Sequence, residues 1–121
     1  MINCLFVGLG GFIGVILRYL ITLIPVNNNN IFPYKTLVIN VLGSFIIGII
    51  SAYALKHINF DEKLVLMIKV GICGGFTTFS TFALESYNLF ENNHAILSII
   101  YIILSVTLCI TFVFLGTKIV G

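Results

Sequence analysis

The chain has 121 residues, of which 60% are hydrophobic and only 8% charged, with a net charge of +2. A soluble domain carries about 25% charged residues, and one this small could not bury so much apolar surface. Composition therefore argues against a soluble enzyme and for a chain that lives in a membrane, as does a mean hydropathy of +1.18.

Length sets a second bound. A spanning helix takes about 20 residues, so four take roughly 80 and leave only connections and ends. No room remains for a soluble catalytic, nucleotide-binding or receptor domain. One membrane domain, residues 1–121, is expected, small enough that oligomerisation is expected too. Six basic residues, scattered, make no nucleic-acid footprint.

Four segments reach spanning length. The first covers about residues 4–24, and Pro25 with Asn27 to Asn30 ends it. Its start, MINCLFVGLGG, has no basic n-region and no small-x-small cleavage site, so it is expected to stay attached as a helix. Pro33 keeps the connection non-helical, and an uncharged second helix follows over about 36–55. A loop with Lys56, His57, Asp61, Glu62 and Lys63 leads to a third segment over about 64–88. The fourth spans about 95–117. With four spans, Lys56, Lys63 and Lys118 share one side and Lys35 lies on the other. Three against one is a weak bias towards termini inside, and it permits insertion both ways.

The third segment is the unusual one. Gly71-Ile-Cys-Gly74-Gly75-Phe76-Thr77-Thr78-Phe79-Ser80 puts glycines and hydroxyls at mid-span. Glycine weakens a helix by about 1 kcal/mol relative to alanine. A break near 74–78 is expected, tolerable only where protein, water or an ion satisfies the freed backbone.

Gly8-Leu9-Gly10-Gly11-Phe12-Ile13-Gly14 is not a dinucleotide loop, because Ile13 stands where the last glycine would be. Gly10 and Gly14 instead form a small-residue packing face. Arg18 lies inside the first span and either snorkels or lines a vestibule. Lys69 has the same choice, with snorkelling favoured. Thr36, Asn40 and Ser44 make one polar stripe at i, i+4, i+8; Tyr101, Ser105 and Cys109 make another. They could serve as helix glue or as donors to a permeating ion. Phe79 and Phe82 share a helix face, and their electropositive ring edges suit a small anion. Cys4, Cys73 and Cys109 are expected to be small buried hydrophobes, and His57 and His94 to be solvated. No set of residues suggests covalent catalysis.

GGFTTFSTFALE at Gly74 to Glu85 closely resembles the signature of the small Fluc (CrcB) fluoride channels. GGFIGVILRY at Gly10 to Tyr19, and Thr36 with NVLGSF at Asn40 to Phe45, are similar to that family's earlier motifs. The resemblance implies an all-α membrane protein with four transmembrane helices, the third broken near the midplane, forming an antiparallel homodimer. It implies a passive fluoride channel, multi-pass in a prokaryotic cell membrane, that relieves fluoride toxicity. Phe79, Phe82, Asn40, Ser80, Thr81, Tyr101, Ser105 and Cys109 match the pore or its polar track. Cys109 is a weaker donor than the hydroxyl that position prefers. Arg18 matches a vestibule arginine and Glu85 the acid after the signature. Backbone carbonyls of Gly74 and Thr77 match the ligands of a structural sodium ion at the dimer centre. Two rivals are a small multidrug exporter and a non-transporting assembly subunit. The exporter would carry an acid in its first helix, where this chain has Arg18.

Overall fold

The computed structural model describes residues 1–27 and 29–121; Asn28, within the run that ends the first span, lies outside the described residues. The described chain is helical: α1 Ile2–Thr22, α2 Tyr34–Lys56, α3 Glu62–Leu66, a π-helical segment Met67–Cys73, α4 Gly74–Phe76, α5 Phe79–Glu91 and α6 Ala95–Val120. Four stretches are long and apolar enough to cross a membrane: α1, α2, Glu62–Glu91 and α6. The third is thus longer than its apolar run suggests.

Local chemistry sets the ends. The Asp61 carboxylate accepts from the Lys63 amide at 2.9 Å and starts α3. The Lys35 ammonium donates to the Thr22 and Ile24 carbonyls at 2.8 and 2.6 Å, closing the C-terminal end of α1. Asn93 turns the chain between α5 and α6 at φ 64°, a conformation asparagine tolerates.

The bundle is held by backbone approach more than by large side chains. α1 packs chiefly on the third span, and α2 on α6. A methyl at Gly10 would collide with the Met67 carbonyl, and one at Gly14 with the Ile72 carbonyl. Gly48 and Gly116 do the same for α2 and α6 against the Val113 and Phe45 carbonyls. Close contact of this kind suits lipid, where apolar side chains gain little by leaving their surroundings. The Gly10–Gly14 packing face is therefore present.

The core cluster is small: Phe82, Leu89 and Tyr101, with Phe32, Leu37, Leu97 and Ile102 against it. Among the cysteines only Cys73 is buried. Cys4 is exposed on α1 and Cys109 is half-buried, which corrects the expectation that all three are core residues. In a membrane the outer face of a helix is apolar too, so a thiol there gives no sign of its position.

Candidate functional site

The site is built around the junction of α4 and α5. Helix stops at Phe76, and Thr77 (φ −81°, ψ 160°) and Thr78 (φ −150°, ψ 120°) are extended. Extended backbone inside an apolar span exposes amides and carbonyls that must find partners. They do. The Asn40 side chain grips Thr78 at both polar atoms: the Thr78 amide donates to Oδ1 at 2.8 Å, and Nδ2 donates to the Thr78 carbonyl at 3.0 Å. This pairing fixes the amide's orientation and leaves one Nδ2 hydrogen over. The Thr77 amide and hydroxyl both donate to the Cys73 carbonyl, at 3.0 and 2.8 Å. Thr78 Oγ1 accepts from the Thr81 amide at 3.2 Å and caps α5. Arg18 Nε donates to the Gly75 carbonyl at 3.2 Å, tying α1 to the same junction.

A groove of about 500 Å³ opens beside the junction. α2 gives it Asn40 and Ser44, the third span gives Lys69, Cys73, Gly74, Thr77, Thr78, Phe79 and Phe82, and α6 gives Ser105 and Cys109. Ser105 Oγ is buried and has no hydrogen-bond partner in the protein. A buried hydroxyl without a partner costs about 1–3 kcal/mol, so the groove wall holds a polar group that the protein itself leaves unsatisfied. Among the described residues, no aspartate or glutamate lines the groove.

The rings form an edge-to-face series. Phe79 and Phe82 lie 5.5 Å apart at 75°, Phe82 and Tyr101 5.1 Å apart at 76°. Their environments differ sharply: Phe79 is 81% exposed and Phe82 only 7%. Beyond Tyr101 lies a second pocket of about 520 Å³, lined in part by Glu85, Asn88, His94 and Lys35. The Tyr101 hydroxyl donates to Glu85 Oε1 at 3.3 Å. Phe82 and Tyr101 thus stand between the groove and this second pocket.

Comparison with known proteins gives the lineage. Residues 5–117 match the family described as CrcB-like protein, Camphor Resistance (CrcB). The chain belongs to the CrcB-like family. A protein of Ruminiclostridium cellulolyticum is 47% identical over 117 residues, covering 96% of this chain and 90% of the relative. One from Shewanella denitrificans is 43% identical over 122 residues, covering 99% and 97%. One from Clostridium perfringens is 40% identical over 119 residues, covering 98% and 93%. Each of the three is named "Fluoride-specific ion channel FluC". With its four spanning helices, this CrcB-like chain is a multi-pass membrane protein, and its relatives are named as channels, not as enzymes.

In this CrcB-like chain the groove collects Asn40, Gly74, Thr77, Phe79, Phe82, Ser105 and Cys109. It does not collect the rest. Ser80 and Thr81 lie on α5 outside the groove lining, while Tyr101 and Glu85 sit at the second pocket side, and Arg18 binds backbone. Thr78, Lys69 and Cys73 line the groove although the motif reading gave them no part in the pore. A signal existed for Thr78: it precedes the Phe79–Phe82 helical face and is a good N-cap residue.

Proposed function

We propose that this chain is one subunit of a passive fluoride channel that works as an antiparallel homodimer. The observation that carries the reading is the unpartnered Ser105 hydroxyl, buried in a groove that also holds Asn40, Phe79 and Phe82. A hydroxyl, a spare amide hydrogen and electropositive ring edges are what a small anion needs once it sheds water. The groove lacks the carboxylate that an exporter of cationic drugs would use, which disfavours that reading. That three relatives are named fluoride-specific channels supports fluoride as the anion. The membrane potential then suffices: about 2.3 kcal/mol per 100 mV, inside negative, drives the anion out of the cell and sustains a roughly 50-fold gradient. Passive flow of this kind relieves fluoride toxicity in a bacterial cell.

Three features support two subunits. The groove is open on one side, Phe79 is 81% exposed beside it, and loop charge barely favours either orientation. A second, inverted copy would enclose both.

The carbonyls of Gly74 and Thr77 fit a structural sodium ion. In a continuous helix they would accept from the Thr78 and Thr81 amides, but those donate to Asn40 Oδ1 and Thr78 Oγ1 instead. Two carbonyl oxygens are thereby released from helical duty near one point of the span, the kind of ligand a hard monovalent cation takes. Bound there, sodium would supply the positive charge that satisfies these oxygens.

Purified protein in liposomes tests the reading with fluoride and chloride electrodes. Fluoride efflux with chloride retained is expected. Silence, or equal loss of both anions, overturns it. Replacing sodium by N-methyl-D-glucamine should lower the flux, and indifference to that exchange removes the ion from the proposal.

A further inference from the structure

We infer that Lys69 recruits anions at the mouth of the groove and sets how fast fluoride enters. The inference rests on the channel reading above. Lys69 lies in the π-helical segment Met67–Cys73, seven positions beyond the start of the third span at Glu62. A lysine this far inside a span is costly against lipid. Snorkelling to the surface is the sequence-based expectation. The structure gives another place for the charge: Lys69 is part of the groove wall, together with Cys73 and Gly74 four and five residues on. A π turn closes its hydrogen bonds from i to i+5, so both successors share its wall.

The groove's charge balance decides what Lys69 does there. Among the described residues lining it, Lys69 carries the only formal charge. Arg18 is held by the Gly75 carbonyl, and Glu85 and Lys35 line the second pocket. The anion donors, Asn40 and Ser105, are neutral. Nothing else in the groove would raise the concentration of a monovalent anion before it loses water. Lys69 precedes Thr77 by eight positions, a separation on the order of 10 Å along the helix. It therefore lies about two turns away from the Thr77–Thr78 junction. One unit charge about 8 Å from an ion, at an effective dielectric constant near 40, enriches that ion about five-fold. Such enrichment is screened by salt, because the Debye length falls from about 30 Å at 0.01 M to about 3 Å at 1 M.

The experiment measures fluoride efflux from liposomes holding the wild type, Lys69→Arg, Lys69→Gln or Lys69→Glu. Each is run at about 0.01 M and about 1 M ionic strength, set with the sodium salt of an impermeant organic anion. At low ionic strength Lys69→Gln should fall about five-fold, Lys69→Glu further, and Lys69→Arg should match the wild type. At high ionic strength the four should converge. Size-exclusion profiles of the detergent-purified variants establish that they are equally well folded. Equal flux of wild type and Lys69→Gln at low salt overturns the inference. So does a loss that is the same at both salts, or an arginine variant as poor as glutamine, since each marks a packing role. A silent wild type is a different result: it removes the channel reading, and this inference with it.

Discussion

The two halves of the third span do opposite work with different residues: the first carries Gly71, Gly74 and Gly75 and no serine or threonine, the second Ser80, Thr81 and Ser86 and no glycine. From Glu62 to Phe76 the helix meets α1 backbone to backbone, through Gly71 against the Val7 carbonyl and Gly75 against the Gly11 carbonyl, both at 2.7 Å from an added methyl. From Phe79 to Glu91 it meets α6 through side chains: the Phe82 ring on Tyr101, and Ser98 Oγ donating to the Ser86 carbonyl at 2.8 Å. On its α1 side the first half is closed, and at Gly71 and Gly75 it leaves no room for a methyl. The second presents rings and hydroxyls to space. The groove lies where one mode gives way to the other, at Thr77 and Thr78. Small residues thus locate the scaffold, and the change of mode locates the site.

The strongest way to break this contrast is on the closed side. Gly14→Leu puts a branched side chain where even a methyl meets the Ile72 carbonyl and the Phe76 amide. No monodisperse species should survive size exclusion; a well-folded Gly14→Leu protein would remove the backbone contact as the basis of the fold. At the junction, Asn40→Leu strands the Thr78 amide and carbonyl, each worth about 1–3 kcal/mol. A clear fall in Tm in detergent is expected, together with loss of fluoride flux. On the open side the two rings should separate. Phe82→Ala empties the core cluster at about 3–5 kcal/mol. Phe79→Ala, at an exposed ring, should cost less than about 0.5 kcal/mol within the subunit while still lowering flux. Equal Tm shifts would contradict the difference in burial. The smallest effect on stability is expected at Ser105→Ala. Removing an unpartnered hydroxyl should leave Tm unchanged or slightly raised while flux drops. A marked loss of stability there would mean that the hydroxyl serves packing.

Much of this was legible from residue order, for reasons that also explain the rest. Long apolar runs bounded by Pro25, Pro33 and the charged loop after Lys56 can only be spans, and Gly10 with Gly14 can only be a close-packed face. The junction was harder. Glycine content pointed to residues 74–78, yet Gly74 and Gly75 are helical and the extended backbone belongs to the two threonines. Gly75 marks where α1 approaches closely, whereas a methyl at Gly74 would meet nothing. The extended pair is stabilised by Asn40, 38 positions away in sequence, and no local pattern conveys a partner that distant. The π-helical segment was invisible for a similar reason: MIKVGIC has no residue that marks a wider turn. Ser80 and Thr81 share the hydroxyl chemistry of Thr78, but only Thr78, the residue before the helix, lines the groove, and that depends on where the helix starts.

One contact has a consequence for motion. An interrupted helix ordinarily swings about its break, because the freed torsions have no restraint. Here a single amide side chain holds both polar atoms of the same residue at the break. Two parallel bonds between the same pair of groups resist twist as well as separation. The extended pair is thereby pinned to α2 at its second residue, on the wall of the groove.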